Sequence, residues 1–132
     1  MKKLALLLST LSLFFASSAT AFNFESTSGY YLQACNEVDK YHYGKPIDRE
    51  RVDVCFGFIE GAEGMHTGLT AANKDFKFYC PVSSSNYMQD IKHSRIIWVE
   101  YLKNNPQNLH LPPIITFIAA MEKAFPCPNF PR

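Results

Sequence analysis

Beyond residue 21 the chain contains no apolar run near the ~18 residues needed to cross a bilayer, which excludes a spanning helix from that part. Neither sign of charge dominates: 13 Lys and Arg stand against 12 Asp and Glu. A balanced chain offers no electrostatic footprint for nucleic acid or an anionic membrane surface. No two cysteines have the close spacing of a zinc ribbon, and the four histidines form no H-x-x-x-H or H-E pair. There is no phosphate-cradling glycine loop. Ser83–Ser85 lack the strand-and-elbow setting of a nucleophilic serine and suit capping and turn duty instead. Cofactor, metal and catalytic centre are therefore not expected, and the chain does not read as an enzyme.

What is present begins with export. Lys2 and Lys3 precede an apolar stretch from Leu4 to Phe15 and a small-residue site at Ala19-Thr20-Ala21. That pattern is a cleaved secretory signal peptide at residues 1–21, followed by a single helical domain at 22–132. Loss of the two lysines turns the formal charge from +1 to −1. The mature product is expected to be periplasmic and free of the membrane. All four cysteines, Cys35, Cys55, Cys80 and Cys127, lie in it. An even count after an export signal predicts two disulfides. Three pairings are open; Cys35–Cys55 and Cys80–Cys127 are favoured because each joins neighbouring segments. Each bridge would stabilise the fold by about 3–4 kcal/mol on chain-entropy reasoning.

The stretch Cys55–Gly68 organises the rest. Gly57, Gly61, Gly64 and Gly68 recur at helical spacing and share one narrow face, while Cys55, Phe58, Ile59, Ala62, His66 and Leu69 gather opposite. Four glycines cost a helix roughly 4 kcal/mol against alanine. A continuous helix therefore predicts close packing on its bare side; the alternative is a helix broken in two.

Around it, Ser26, Thr27 or Ser28 can cap a helix from about Gly29 to Tyr41, with Tyr31, Cys35 and Val38 facing inward. Asp48 suits the N-cap of the glycine-rich helix, which reaches about Ala72. Asn86 and Gln89 suit the start of a third helix, with Met88, Ile91, Arg95, Trp98 and Leu102 as its stripe and Pro106 beyond its end. Pro112 and Pro113 open a last helix reaching about Ala124. The fold class is all-α, a bundle of four to five helices braced by two disulfides.

Between the second and third helices, Lys74, Asp75, Phe76, Lys77, Phe78 and Tyr79 form an aromatic and charged loop held by Cys80. A covalently fixed loop is preorganised for a protein partner, so these six residues are the candidate partner-binding set. His66 reads as a core histidine, and Asp53, Glu60 and Glu63 as a solvated helix edge.

The ordered set Cys55-x-Gly57-x-x-x-Gly61, Cys80-Pro81, Tyr101-Leu102, Pro106, His110-x-Pro112 and Ala120-x-x-x-Ala124-Phe125-Pro126-Cys127 resembles the Rap/Tai family of periplasmic immunity proteins. The direct Cys80-Pro81 step and the tail Pro128–Arg132 depart from the family's pattern. The resemblance implies a small helical, disulfide-bonded homodimer. It would bind a type VI secretion effector, a Cys-His peptidoglycan amidase, and plug its active-site groove without catalysis of its own. The runner-up is a small periplasmic stress chaperone of the HdeA-like kind. Export predicts an exported form that begins at Phe22 and has no titratable thiol; N-terminal sequencing and intact-mass thiol counting check both.

Overall fold

The computed structural model describes residues 26–81 and 86–128. The signal-peptide reading, the start of the mature chain and the serines Ser83–Ser85 lie outside them. Among the described residues there are four α-helices and no strand: α1 (Ser28–His42), α2 (Arg49–Ala72), α3 (Tyr87–Asn104) and α4 (Pro113–Ala124). A short 3-10 turn, Pro106–Asn108, joins α3 to the approach of α4. The all-α class and the two-disulfide brace stand as expected.

The helix starts follow local chemistry. Thr27, Asp48 and Asn86 each lie in extended backbone, and the side chain of each accepts an N–H three residues on. Pro113 opens α4, where its missing N–H costs nothing. Gly44, at φ +64°, takes the left-handed turn that reverses the chain after α1.

α1 and α2 form a hairpin closed by the Cys35–Cys55 disulfide, with both cysteines fully buried. α3 packs on α4 and lies against α1 and α2. Trp98 sits at the centre, 0% exposed. Phe58 stacks on it at 4.8 Å, Phe117 meets it edge-on at 5.6 Å and Tyr31 lies at 6.1 Å. Its indole N–H donates to Thr116 Oγ1 at 3.1 Å, and that hydroxyl lies 2.7 Å from Ser28 Oγ. Ser28 Oγ in turn donates to the Leu111 carbonyl, tying the start of α1 to the α3–α4 connection. Each buried polar atom in this chain of contacts thus has a partner, as burial requires.

Arg95 belongs to the buried stripe of α3, as its spacing predicts. Its guanidinium donates to the Cys35 carbonyl at 3.1 Å and to Asp39 Oδ1 at 2.9 Å, so the charge is carried into the interior with its partners. Met88 departs from the stripe: it lies in the first turn of α3, 50% exposed.

The glycine-rich helix is continuous over its 24 residues. Among the described residues nothing packs closely on its bare face, contrary to the expectation of close packing there. Gly57, Gly61, Gly64 and Gly68 are exposed, and a Cβ added at any of them would meet nothing within 4 Å. The buried face of Cys55, Ile59, Ala62 and His66 holds α2 in place by itself. Leu69, expected on that face, is 40% exposed. The physical reason is length: α2 has 24 residues and its hairpin mate α1 only 15, so the last turns of α2 outrun the helix beside them.

Because the glycine face is open, Gly61→Ala removes a helix-propensity cost and meets no obstacle. We expect it to stabilise the monomeric fold by about 1 kcal/mol in urea unfolding. A loss of stability would show that something covers that face.

Candidate functional site

The overhanging end of α2 is covered by the loop that follows it. Asn73 Oδ1 accepts the Asp75 N–H and the Asn73 carbonyl accepts the Phe76 N–H, which makes a tight turn at Lys74 and Asp75. Thr70 Oγ1 donates to the Phe76 carbonyl, holding the loop to the last turns of the helix. Phe76 and Phe78 meet edge-on at 4.8 Å. The Cys80 N–H then donates to the Phe125 carbonyl at 2.9 Å, and the Cys80–Cys127 disulfide ties the same point to the chain's end.

The six candidate residues divide in two. Lys74, Asp75, Phe76 and Lys77 are exposed, Phe76 at 39%. Phe78 is half-buried, and Tyr79 is a core residue, 1% exposed. Tyr79 is therefore corrected from partner contact to anchor. Its ring stacks on His66 at 3.9 Å and 14°, and its hydroxyl donates to Glu63 Oε2 at 2.8 Å. Burial under the loop is what removes it from the surface.

Glu63, read from the sequence as part of a solvated helix edge with Asp53 and Glu60, is corrected to a structural residue; the other two are exposed. Glu63 is half-buried and accepts from Tyr79 on one oxygen and from Ser94 Oγ, at 2.6 Å, on the other. One carboxylate thus joins α2, α3 and the loop. A signal for this was present. Glu63 lies four residues after Ile59 and three before His66, both on the buried face, and Ser94 lies three after Ile91 and four before Trp98.

Burial sets the proton affinities here. Tyr79 is held protonated well above the usual phenol range, first by desolvation, then by the Glu63 charge and the hydrogen bond to it. His66 is pushed below the ordinary imidazole value by desolvation, helped by the Lys77 charge and opposed by Glu63 and a hydrogen bond with the Tyr79 backbone. His66 is a core histidine, 7% exposed, but its Nε2 is buried with no hydrogen-bond partner among the described residues.

Beside this cluster lies a cleft of about 180 Å³ lined by Glu63, His66, Thr67, Asp90, His93 and Ser94, with Pro81, Tyr87 and Phe125 at its remaining sides. Among the described residues no hydrogen bond joins a nucleophile to a histidine base: Ser94 donates to a carboxylate already shared with a phenol. Among the described residues no group of three His, Cys, Asp or Glu is arranged to hold a metal, and no helix is long and apolar enough to cross a membrane. What this geometry provides is a rigid, loop-crowned surface with a polar recess.

The family model of Rap1a immunity proteins matches residues 27–127, which takes in all four helices, the loop and both disulfides. The chain belongs to the Rap1a immunity protein family. Neither the curated proteins nor the solved structures contain a match to it. Membership implies an immunity protein that binds a cognate secreted effector. In this Rap1a protein the cysteines act as scaffold, and the exposed loop residues are presented by that scaffold.

The Tyr79 anchor makes stability depend on pH with a definite sign. In the unfolded chain the phenol ionises near pH 10, while the folded state retains the proton. The folded state then binds more protons, so stability is present below about pH 10 and falls as pH rises above it, by up to ~1.4 kcal/mol per unit. Tyr79→Phe should flatten that slope and, near neutrality, cost about 1.5–3 kcal/mol through the lost bond to Glu63. Urea unfolding of both proteins from pH 8 to pH 11 checks both expectations.

Proposed function

We propose that this Rap1a protein acts in the periplasm after signal removal, where it binds a type VI secretion peptidoglycan amidase and occludes its active-site groove. The observation that carries the reading is the loop from Asn73 to Pro81. It is tied to α2 at Thr70, to the core at Tyr79 and to the chain's end at Cys80, and it presents Lys74, Asp75, Phe76 and Lys77 outward. A projection fixed at three points loses little conformational entropy on docking, which is what a stoichiometric plug needs. Occlusion requires shape and no turnover. The family match favours this inhibitor over a stress chaperone.

We propose also that the working form is a homodimer. The open glycine face of α2 would allow the helix of a second copy to approach closely, and sedimentation of the mature protein tests this.

The inhibitor reading is tested with a purified type VI secretion peptidoglycan amidase, the first candidate being any Cys-His hydrolase found in the adjacent reading frame. Hydrolysis of cross-linked peptidoglycan fragments should stop at an equimolar ratio. Phe76→Glu and Lys77→Glu should each weaken binding by about 30-fold, as expected for anchor residues, with unchanged helical circular dichroism. Undiminished hydrolysis in the presence of excess protein would overturn the reading.

A further inference from the structure

The two disulfides differ in what surrounds them. Cys35 and Cys55 are both fully buried and belong to the apolar core. Cys80 and Cys127 are part-exposed, and neither belongs to that core. Pro81 follows Cys80, and Pro126 and Pro128 stand on either side of Cys127, all three exposed. Proline has no N–H, so these neighbours give the bundle no donor that would hold the bridge down. Cys127 also lies beyond the end of α4 at Ala124. Thiol–disulfide exchange needs a thiolate to reach a sulfur, and bridges at the surface are the labile ones. The consequences of cutting each bridge differ too. The Trp98 cluster and the Arg95 bonds to Cys35 and Asp39 involve neither residue of the second bridge. Without that bridge the loop keeps its ties from Thr70 to Phe76 and from Tyr79 to Glu63. At the chain's end it keeps the Cys80 N–H bond to the Phe125 carbonyl, and one such bond contributes little net.

We infer that Cys80–Cys127 is a reducible latch on the loop: an external dithiol opens it while Cys35–Cys55 and the four helices stay intact, and the loop then loses its fixed shape. One thiolate of the dithiol attacks a sulfur of the bridge, forming a mixed disulfide and releasing one cysteine. The second thiol then closes on the first and releases the other cysteine. The dithiol is oxidised by two electrons to a cyclic disulfide, and its two protons end on Cys80 and Cys127. The buried bridge is reached only when the α1–α2 hairpin opens, which sets the order of reduction. A loop that has lost its shape must be ordered again on docking, so the reduced form binds a partner more weakly. That control of effector binding rests on the inhibitor reading; the opening of the latch does not.

The oxidised mature protein is treated with dithiothreitol under native conditions, quenched with an alkylating reagent at successive times and mapped by mass spectrometry. Cys80 and Cys127 should be alkylated at least about a hundredfold faster than Cys35 and Cys55. In the singly reduced protein, amide hydrogen exchange should rise about tenfold at residues 76–80 and stay unchanged within α1 and α3, with helical circular dichroism retained. Equal reduction rates for the two bridges would overturn the latch. So would unchanged loop exchange after reduction, or loss of the helices together with the bridge. The double variant Cys80→Ser, Cys127→Ser should show the same fast loop exchange without any reagent; slow exchange in it would also count against the latch. With an inhibited amidase in hand, the singly reduced protein should bind at least about tenfold more weakly than the oxidised one. Equal affinity of the two forms would sink the control of binding and leave the inhibitor reading standing. An oxidised form that fails to inhibit would sink that reading, and the exchange measurement would still decide the latch.

Discussion

Two covalent bridges set the conditions for the rest of this structure. Cys35–Cys55 closes the α1–α2 hairpin across a separation of 20 residues, and Cys80–Cys127 joins the loop after α2 to the end of the described chain across 47. In a domain this small the apolar core alone leaves little margin. Cross-links of these spans reduce the entropy of the unfolded chain by an amount worth roughly 3–4 kcal/mol each. The two bridges have different consequences. The first is wholly buried and fixes the register of two helices. The second fixes a surface element, so that a loop with little core of its own keeps one shape.

Polar groups inside the bundle carry the specificity that apolar packing lacks. Trp98, Thr116, Ser28 and the Leu111 carbonyl form one connected set, and Arg95 binds Cys35 and Asp39 in another. Glu63 holds Tyr79 and Ser94 in a third. In each, a group from one element has its hydrogen-bonding requirement met by another element, so a slip in helix register would leave buried donors or acceptors unpaired. The Glu63 set also converts an overhanging helix end into a support for the loop. In this Rap1a protein the exposed loop residues thus stand on a support that is held by the core and not by the loop itself.

The two exposed features of α2 arise from opposite circumstances. At its glycine face the described residues supply no covering element, and the helix survives because its other face is buried. At its C-terminal end a covering element is supplied, and Tyr79 fills the space over His66. The first leaves a bare surface; the second leaves a surface with a shape.

The helix boundaries, the N-caps at Asp48 and Asn86 and the buried places of Arg95 and Trp98 were legible in the sequence. All of them rest on residues within four positions of one another, which is the range over which a helix fixes geometry. The disulfide pairing was legible as well: Cys35–Cys55 closes a hairpin of consecutive helices, and the other two cysteines then pair across α3 and α4. Three things depended on how the helices meet: the burial of Tyr79, the capture of Glu63 by hydroxyls from two other elements, and the exposure of all four glycines. Each turns on which side chain from a distant segment occupies a given volume, or on none doing so. Local periodicity carries no information about that, since it specifies the faces of a helix and only packing specifies what those faces touch.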